Sequence, residues 1–113
     1  MMNNGMRPVH PGEVLREEYL RPIAMSASAL ARVLKIPRGR VIAIVDERGR
    51  VSADTALRLA RYFGGGDSVA LGWLQLQAAF DLKIACAVGR STIMAQVAPR
   101  PSGCGASGSK QKR

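Results

Sequence analysis

The segment 25–61 carries apolar residues at helical spacing, in short runs that a proline and then a loop interrupt. Leu30, Ala31 and Leu34 recur one turn apart in the first run, and Pro37 separates that run from the next. Two runs this short with a tight turn between them favour two helices packed on each other, followed after the loop by a third, amphipathic helix. The spacing restricts the chain to a small helical domain and is typical of a helix-turn-helix.

Start and stop signals extend this pattern to five helices. Ser26, Ser52 and Ser68 are good N-caps for the second, fourth and fifth helices. Pro37 suits the first position of the third helix, because an N–H at that position has no acceptor within the helix and its absence costs nothing. Pro22 ends the first helix. The predicted helices are 12–20, 27–34, 37–45, 53–63 and 69–86.

The core of the domain must be aliphatic, because only 4% of the residues are aromatic while 47% are hydrophobic. This composition suits small, closely packed helices better than a β-sandwich. Apolar faces are predicted from Leu30, Ala31, Leu34, Ile36, Val41 and Ile44 in the central pair, from Ala53, Ala56, Leu57, Ala60 and Phe63 in the fourth helix, and from Val69, Trp73, Leu76, Phe80 and Ile84 in the fifth. The fifth stripe is long for so small a domain. Either all of it closes the core, or Trp73, Leu76, Phe80 and Ile84 contribute to a homodimer interface.

Positive charge is concentrated in two parts of the chain. The net charge is +9, and residues 32–61 hold eight basic groups against three acidic ones. Residues 87–113 hold five basic groups and no acidic group. Such a distribution favours a polyanionic partner, although a solvated charged face remains the alternative.

In a helix-turn-helix, the second helix braces the DNA backbone and the next presents its N-terminal half to the major groove. Ser26 and Ser28 could then bond phosphate, while Arg38 and Arg40 reach the groove and its phosphates. Arg48 and Arg50 could hold the backbone from the following loop. The predicted DNA-contacting residues are Ser26, Ser28, Pro37, Arg38, Gly39, Arg40, Ile42, Ala43, Arg48 and Arg50. Any one of these arginines alone is more often a surface charge.

Other classes of function find little support in the residues. Cys86 and Cys104 form no CxxC or Cys/His cluster, so neither zinc nor a structural disulfide is expected, and a reduced cytoplasmic setting fits. No cofactor is predicted. His10, the single histidine, has no evident nucleophile or acid partner and suits a structural role, so we do not expect an enzyme. Polar residues interrupt the apolar stretch 69–88, which argues against a membrane span.

The chain divides by composition into three parts. Residues 1–11 are predicted to form an N-terminal arm because Pro8 and Pro11 resist helix. Residues 12–88 form the helix-turn-helix DNA-binding domain. Residues 89–113 are rich in Gly, Ser, Pro and basic residues and are predicted to be a flexible basic tail.

Four segments carry a close family resemblance. They are RPVHPGEVLREEYLRP (7–22), MSASALARVLKIP (25–37), VSADTALRLARYFG (51–64) and LQAAFDLKIA (76–85). The sequence resembles the HigA-type antitoxins of HigBA toxin–antitoxin modules, within the XRE (Cro/C1-type) helix-turn-helix family. The resemblance implies an all-α, five-helix, lambda-repressor-like fold, a homodimer that binds double-stranded operator DNA and represses its own operon, and neutralisation of a RelE-like, HigB-type mRNA-cleaving toxin. The alternative is a stand-alone XRE regulator without a toxin partner.

The chain departs from the family pattern at the turn and at the third helix. Lys35 stands where the family usually has glycine, in a left-handed position that costs a lysine roughly 1 kcal/mol. Residues 39–43 replace an Arg–Arg–Ile–Asn–Glu-like run. Ile42 and Ala43 can touch thymine methyl groups but cannot make bidentate hydrogen bonds to bases. The operator sequence therefore does not follow from the resemblance.

Overall fold

The computed structural model describes residues 8–101, and all of the regular structure in that part of the chain is helical. The predicted all-α, five-helix class is confirmed. Helix α1 (11–20) begins as the α-helical turn Pro11–Val14, widens over Leu15–Leu20 and is followed by the 3-10 turn Arg21–Ile23; the other helices are α2 (Ala27–Leu34), α3 (Arg38–Val45), α4 (Ala53–Phe63) and α5 (Gly66–Gln96).

Side-chain caps fix the starts of α2 and α4. The Ser26 Oγ accepts the N–H of Ala29 at 3.0 Å, and the Ser52 Oγ accepts the N–H of Thr55 at 3.2 Å, so both predicted caps are confirmed. The predicted Ser68 cap is wrong. Helix α5 begins three residues earlier than predicted, after Gly65 in a left-handed conformation (φ 106°), and the Ser68 hydroxyl donates to the Gly65 carbonyl. Pro37 is the N-cap of α3 and stands one residue before its predicted place.

The turn between α2 and α3 depends on a lysine in the left-handed region. Lys35 has φ 62° and ψ 42°, and the N–H of the next residue, Ile36, donates to the Ala31 carbonyl at 3.2 Å. This geometry closes α2 in the manner usually achieved by glycine. The helix-turn-helix thus forms as predicted. Lys35 places a side chain at the turn position where the family it resembles usually has glycine.

The core lies where α2 packs on α3, where α4 packs on α5, and where α1 closes over α3 and α5. Its apolar members are Leu15, Leu20, Leu30, Ala31, Leu34, Ile36, Val41, Ile44, Val51, Ala56, Leu59, Ala60, Ala70 and Trp73. Two residues of the apolar face predicted for α4 are wrong: Ala53 is exposed and Leu57 is 54% exposed, while Leu59 is fully buried. Ala56 and Ala60 belong to two possible stripes on α4, and the structure turns the Leu59 stripe inward.

Helix α5 is longer than the sequence predicts. It continues ten residues beyond the predicted end at Cys86 and closes at Gln96, three residues before Pro99. A single glycine, Gly89, does not end it, because the flanking residues include good helix formers. Residues 89–96 of the predicted flexible tail are therefore helical. The remaining tail from 102 and the arm residues 1–7 lie outside the described chain, and the three-part division stays a prediction.

Candidate nucleic-acid interface

The exposed ends of α2 and α3 contain the first group of predicted contact residues. Ser26 is exposed, but its Oγ already accepts the Ala29 N–H, so only the hydroxyl hydrogen remains to donate. Ser28 is half-buried in the first turn of α2. The N-terminal N–H groups of a helix attract anions, since they have no intrahelical acceptors.

The N-terminal end of α3 is open to solvent. Pro37, Arg38, Gly39 and Arg40 are all exposed. Within residues 8–101, neither arginine forms an ion pair or a side-chain hydrogen bond. A Cβ built on Gly39 would meet no atom within 4 Å. This end of α3 therefore offers two unpaired guanidinium groups on a backbone that a ligand can approach closely.

The C-terminal end of α3 is held by α1. Gly12 packs so closely on it that an added Cβ would overlap the carbonyl oxygen of Ile44. The Arg16 Nη1 donates to the Val45 carbonyl at 2.6 Å, and its Nη2 donates to Glu47 at 3.0 Å. The hydrogen bond that Arg16 donates to Glu47, followed by the one it donates to Glu17, raises the pKa of the Arg16 guanidinium. The Arg16 guanidinium, which stays positively charged, therefore binds the C-terminal end of α3.

Ile42 and Ala43 lie in the middle of α3 and are half-buried. The Ala43 carbonyl accepts the N–H groups of Arg48 and Gly49, at 2.8 and 2.9 Å. A Cβ on Gly49 would stand only 3.0 Å from the Ala43 Cβ, so the loop lies directly against this side chain. Ala43 therefore supports the loop.

The two loop arginines have different surroundings. Arg48 pairs with Asp46 at 3.4 Å and is mostly exposed. Arg50 makes a two-pronged ion pair with Asp81 on α5, at 3.0 and 2.7 Å. This contact lowers the pKa of the Asp81 carboxyl and raises that of Arg50. Arg50 is thus committed within the fold, while Arg48 is the freer of the two to meet a phosphate.

Helix α5 also holds the loop through a buried amide. The Gln77 Oε1 accepts the N–H of Val51 at 2.8 Å, and its Nε2 donates to Asp81 at 3.1 Å. Gln77 is buried, so both of its polar ends need these partners. The network fixes the loop that joins α3 to α4 relative to α5.

The predicted homodimer residues fall in different environments. The prediction that Trp73 lies in the homodimer interface is wrong, because its side chain is 3% exposed and packs against Tyr19 with ring centroids 5.2 Å apart. Phe80 is half-buried beside His10 at 4.7 Å, and Leu76 is half-buried. Ile84 is exposed, and the apolar exposure continues along α5 at Leu82, Val88, Ile93 and Met94.

His10 takes the structural role predicted for it. Its Nδ1 accepts the N–H of Gly12 at 2.8 Å, which caps α1, and its ring meets the edge of Phe80. The histidine is buried. It therefore aligns the start of α1 with α5.

The sequence analysis missed four polar residues that shape the site: Arg16, Arg58, Gln77 and Asp81. Arg58 donates to Asp54 and to the Leu34 carbonyl, both at 2.8 Å, and so joins α4 to the end of α2. The i, i+4 spacing of Asp54 with Arg58, and of Gln77 with Asp81, was a usable signal. The contacts of Arg16 had no local signal.

Comparisons with known proteins place the chain among relatives of the same size and architecture. No family model matches it. Virulence-associated protein I of Dichelobacter nodosus is 54% identical over 82 residues, which is 73% of each chain. The Pseudomonas aeruginosa antitoxin HigA, solved with the higBA promoter, is 41% identical with a TM-score of 0.78, covering 84% of this chain and all of the other. An addiction-module antidote protein of the HigA family from Coxiella burnetii is 46% identical with a TM-score of 0.75, covering 83% and 99%.

No helix between residues 8 and 101 combines the length and apolar character that crossing a membrane requires.

Proposed function

Because this chain belongs to the HigA family of helix-turn-helix antitoxins, we propose that it binds the operator of its own operon as a homodimer and neutralises a HigB-type toxin in the cytoplasm. The observation that carries the DNA-binding part is the open N-terminal end of α3. Arg38 and Arg40 are exposed there without an ion-pair partner in residues 8–101. The HigA relative solved with promoter DNA supports the same role.

In the proposed complex, α2 lies across the sugar–phosphate backbone and α3 enters the major groove. The hydroxyl of Ser26 and the free N–H groups at the start of α2 bind one phosphate. Arg38 and Arg40 bind base edges or phosphates at the start of α3, and Ile42 contacts a thymine methyl group. Arg48 binds the backbone from the loop, while Arg50 keeps that loop in place through Asp81.

Two copies of the chain would read two half-sites. Paired helix-turn-helix units usually contact half-sites one DNA turn apart, about 34 Å from centre to centre. The exposed apolar residues of the second half of α5, from Leu82 to Met94, supply the surface for pairing. A dimer formed along α5 would also fix the distance between the two α3 helices.

The toxin-neutralising part rests on the family. The experiment that tests it is co-expression of this chain, tagged, with the product of the neighbouring open reading frame, followed by co-purification and an mRNA-cleavage assay. A stable complex with suppressed cleavage is the expected result. If the chain binds its own promoter but no neighbouring product binds the chain, the stand-alone regulator is the better description. If it binds neither, the proposal fails.

A further inference from the structure

A groove of about 640 Å³ runs between the second half of α2 and the exposed face of α4. Val33 and Lys35 line its α2 side, and Leu57, Arg61 and Tyr62 line its α4 side. None of these five residues is among the predicted DNA contacts. The DNA-facing residues of the helix-turn-helix lie instead at the N-terminal ends of α2 and α3.

The floor of the groove is apolar and exposed. Val33 is 42% exposed, Leu57 is 54% exposed and Tyr62 is 44% exposed. Single exposed apolar side chains are common on protein surfaces, but these three line one groove between two helices. Leu57 belongs to an apolar stripe of α4, yet the fold leaves it outside the core.

The rim of the groove carries a net positive charge. Arg58, at its centre, is already engaged, because it pairs with Asp54 and donates to the Leu34 carbonyl. Lys35 and Arg61 have no ion pair or side-chain hydrogen bond within the described residues. The groove therefore presents two uncompensated cations beside an apolar floor.

Lys35 occupies a backbone position that favours glycine. Its φ of 62° lies in the left-handed region, which side chains with a Cβ adopt at a cost. Glycine would close the same turn without that cost. Lys35 therefore lines the groove from a backbone position that its side chain does not favour.

We propose that the α2–α4 groove binds an acidic, amphipathic segment of a partner protein. Its apolar side chains pack on Val33, Leu57 and Tyr62, and its carboxylates pair with Lys35 and Arg61. Along α4 the groove spans residues 54–62, about 12 Å, which fits roughly two turns of helix. A bare phosphate backbone would not use the apolar floor, and a basic protein surface would be repelled by the rim.

The test uses the full-length chain and two synthetic helical peptides. One carries leucine and phenylalanine on one face and glutamates elsewhere; the other is identical except that lysines replace the glutamates. Binding is measured by calorimetry, and operator binding and melting temperature are measured in parallel. The expected result is that the glutamate peptide binds in the micromolar range and the lysine peptide does not.

Two variants locate the binding. Lys35→Gly should weaken the binding of the glutamate peptide about threefold, the effect of losing one exposed ion pair. The melting temperature should rise by about 4 °C, because glycine adopts the left-handed backbone conformation without strain. Opposite changes in binding and stability cannot come from partial unfolding. Leu57→Ser should weaken the binding of the peptide about tenfold. Leu71→Ser, on an equally exposed leucine of α5 outside the groove, should not.

Three results would overturn the proposal. One is equal binding of both peptides, or binding of neither at millimolar concentration. Another is a loss of operator affinity in Lys35→Gly with a smaller salt slope, which would assign the lysine to DNA. The third is a change in oligomeric state in Leu57→Ser, which would assign the groove to a second copy of this chain. Operator binding by the unmodified chain is measured separately. A failure of the proposed function can therefore be distinguished from a failure of peptide binding in the groove.

Discussion

The two ends of helix α3 have opposite environments. At its C-terminal end, Gly12 packs against the Ile44 carbonyl and Arg16 donates to the Val45 carbonyl. At the N-terminal end of this eight-residue helix, Arg38 and Arg40 have no ion-pair partner in the described chain, and a Cβ on Gly39 would meet open space. The C-terminal end is fixed by the fold, and the N-terminal end is open to solvent.

This difference separates the residues that hold α3 in place from the residues that are open to solvent. The groups that hold the C-terminal end of α3 come from α1 and from the loop that follows α3. The side chains at the other end touch little of the protein. Substitutions at the two ends should therefore separate into effects on stability and effects on DNA binding.

The largest expected effect is that of Gly12→Ala. The new Cβ would overlap backbone of α3 that cannot move without disturbing the core, so we expect a loss of about 3 kcal/mol in the free energy of unfolding. Urea denaturation followed by circular dichroism measures it. An unchanged denaturation midpoint would show that α1 does not approach α3 this closely.

Arg16→Met should have the next largest effect, because it leaves the Val45 carbonyl and Glu47 without their donor. We expect a loss of about 1 to 2 kcal/mol in the free energy of unfolding. The control is Arg21→Met, since Arg21 is mostly exposed and its ion pair with Glu17 is a surface contact. Equal effects of the two substitutions would contradict a specific role for Arg16.

Gly39→Ala makes the same substitution as Gly12→Ala at the open end of α3 and should act in the opposite direction. Alanine has the higher helix propensity and its Cβ meets nothing, so the chain should gain about 0.5 to 1 kcal/mol. The same urea experiment checks it. A loss of stability would mean that the N-terminal end of α3 is packed more tightly than the structure indicates.

The smallest expected effect concerns pH. Arg50 lowers the pKa of the Asp81 carboxyl in the folded chain, so this pair stabilises the fold near neutral pH. The contribution is lost on acidification as pH falls below about 4, the usual range of an aspartate, through the lowered pKa. Asp81→Asn should lower stability slightly at pH 7 and flatten its decline in acid. Asp67→Asn, at the start of α5, is the control. Identical profiles of stability against pH for the two variants would show that Asp81 has no specific role in acid stability.

Local signals predicted the helix starts of the helix-turn-helix well. Ser26 and Ser52 could be placed because an N-cap depends on residues within four positions. The left-handed position of Lys35 followed from the family resemblance. The contacts of Arg16 with Val45 and of Gln77 with Val51 join residues 29 and 26 positions apart, so they follow from packing that no local pattern encodes.

The same reasoning accounts for the errors. Leu57 and Leu59 flank the same two alanines, and only the position of α5 decides which of them turns inward. For the site, the sequence placed Arg38 and Arg40 on an exposed helix end. It could not separate Arg48 from Arg50, because Asp81 lies 31 residues from Arg50.

The central claim, that the N-terminal end of α3 binds DNA, is tested most directly by the salt dependence of binding to the chain's own promoter. The measurement is fluorescence anisotropy from 50 to 300 mM salt on the double variant Arg38→Ala/Arg40→Ala, with Arg61→Ala/Arg100→Ala as a charge-matched control. If both arginines meet phosphates, the log–log slope falls by about 2 with an unchanged melting temperature, while the control keeps its slope. A double variant that retains the slope and the affinity of the unmodified chain would contradict the account.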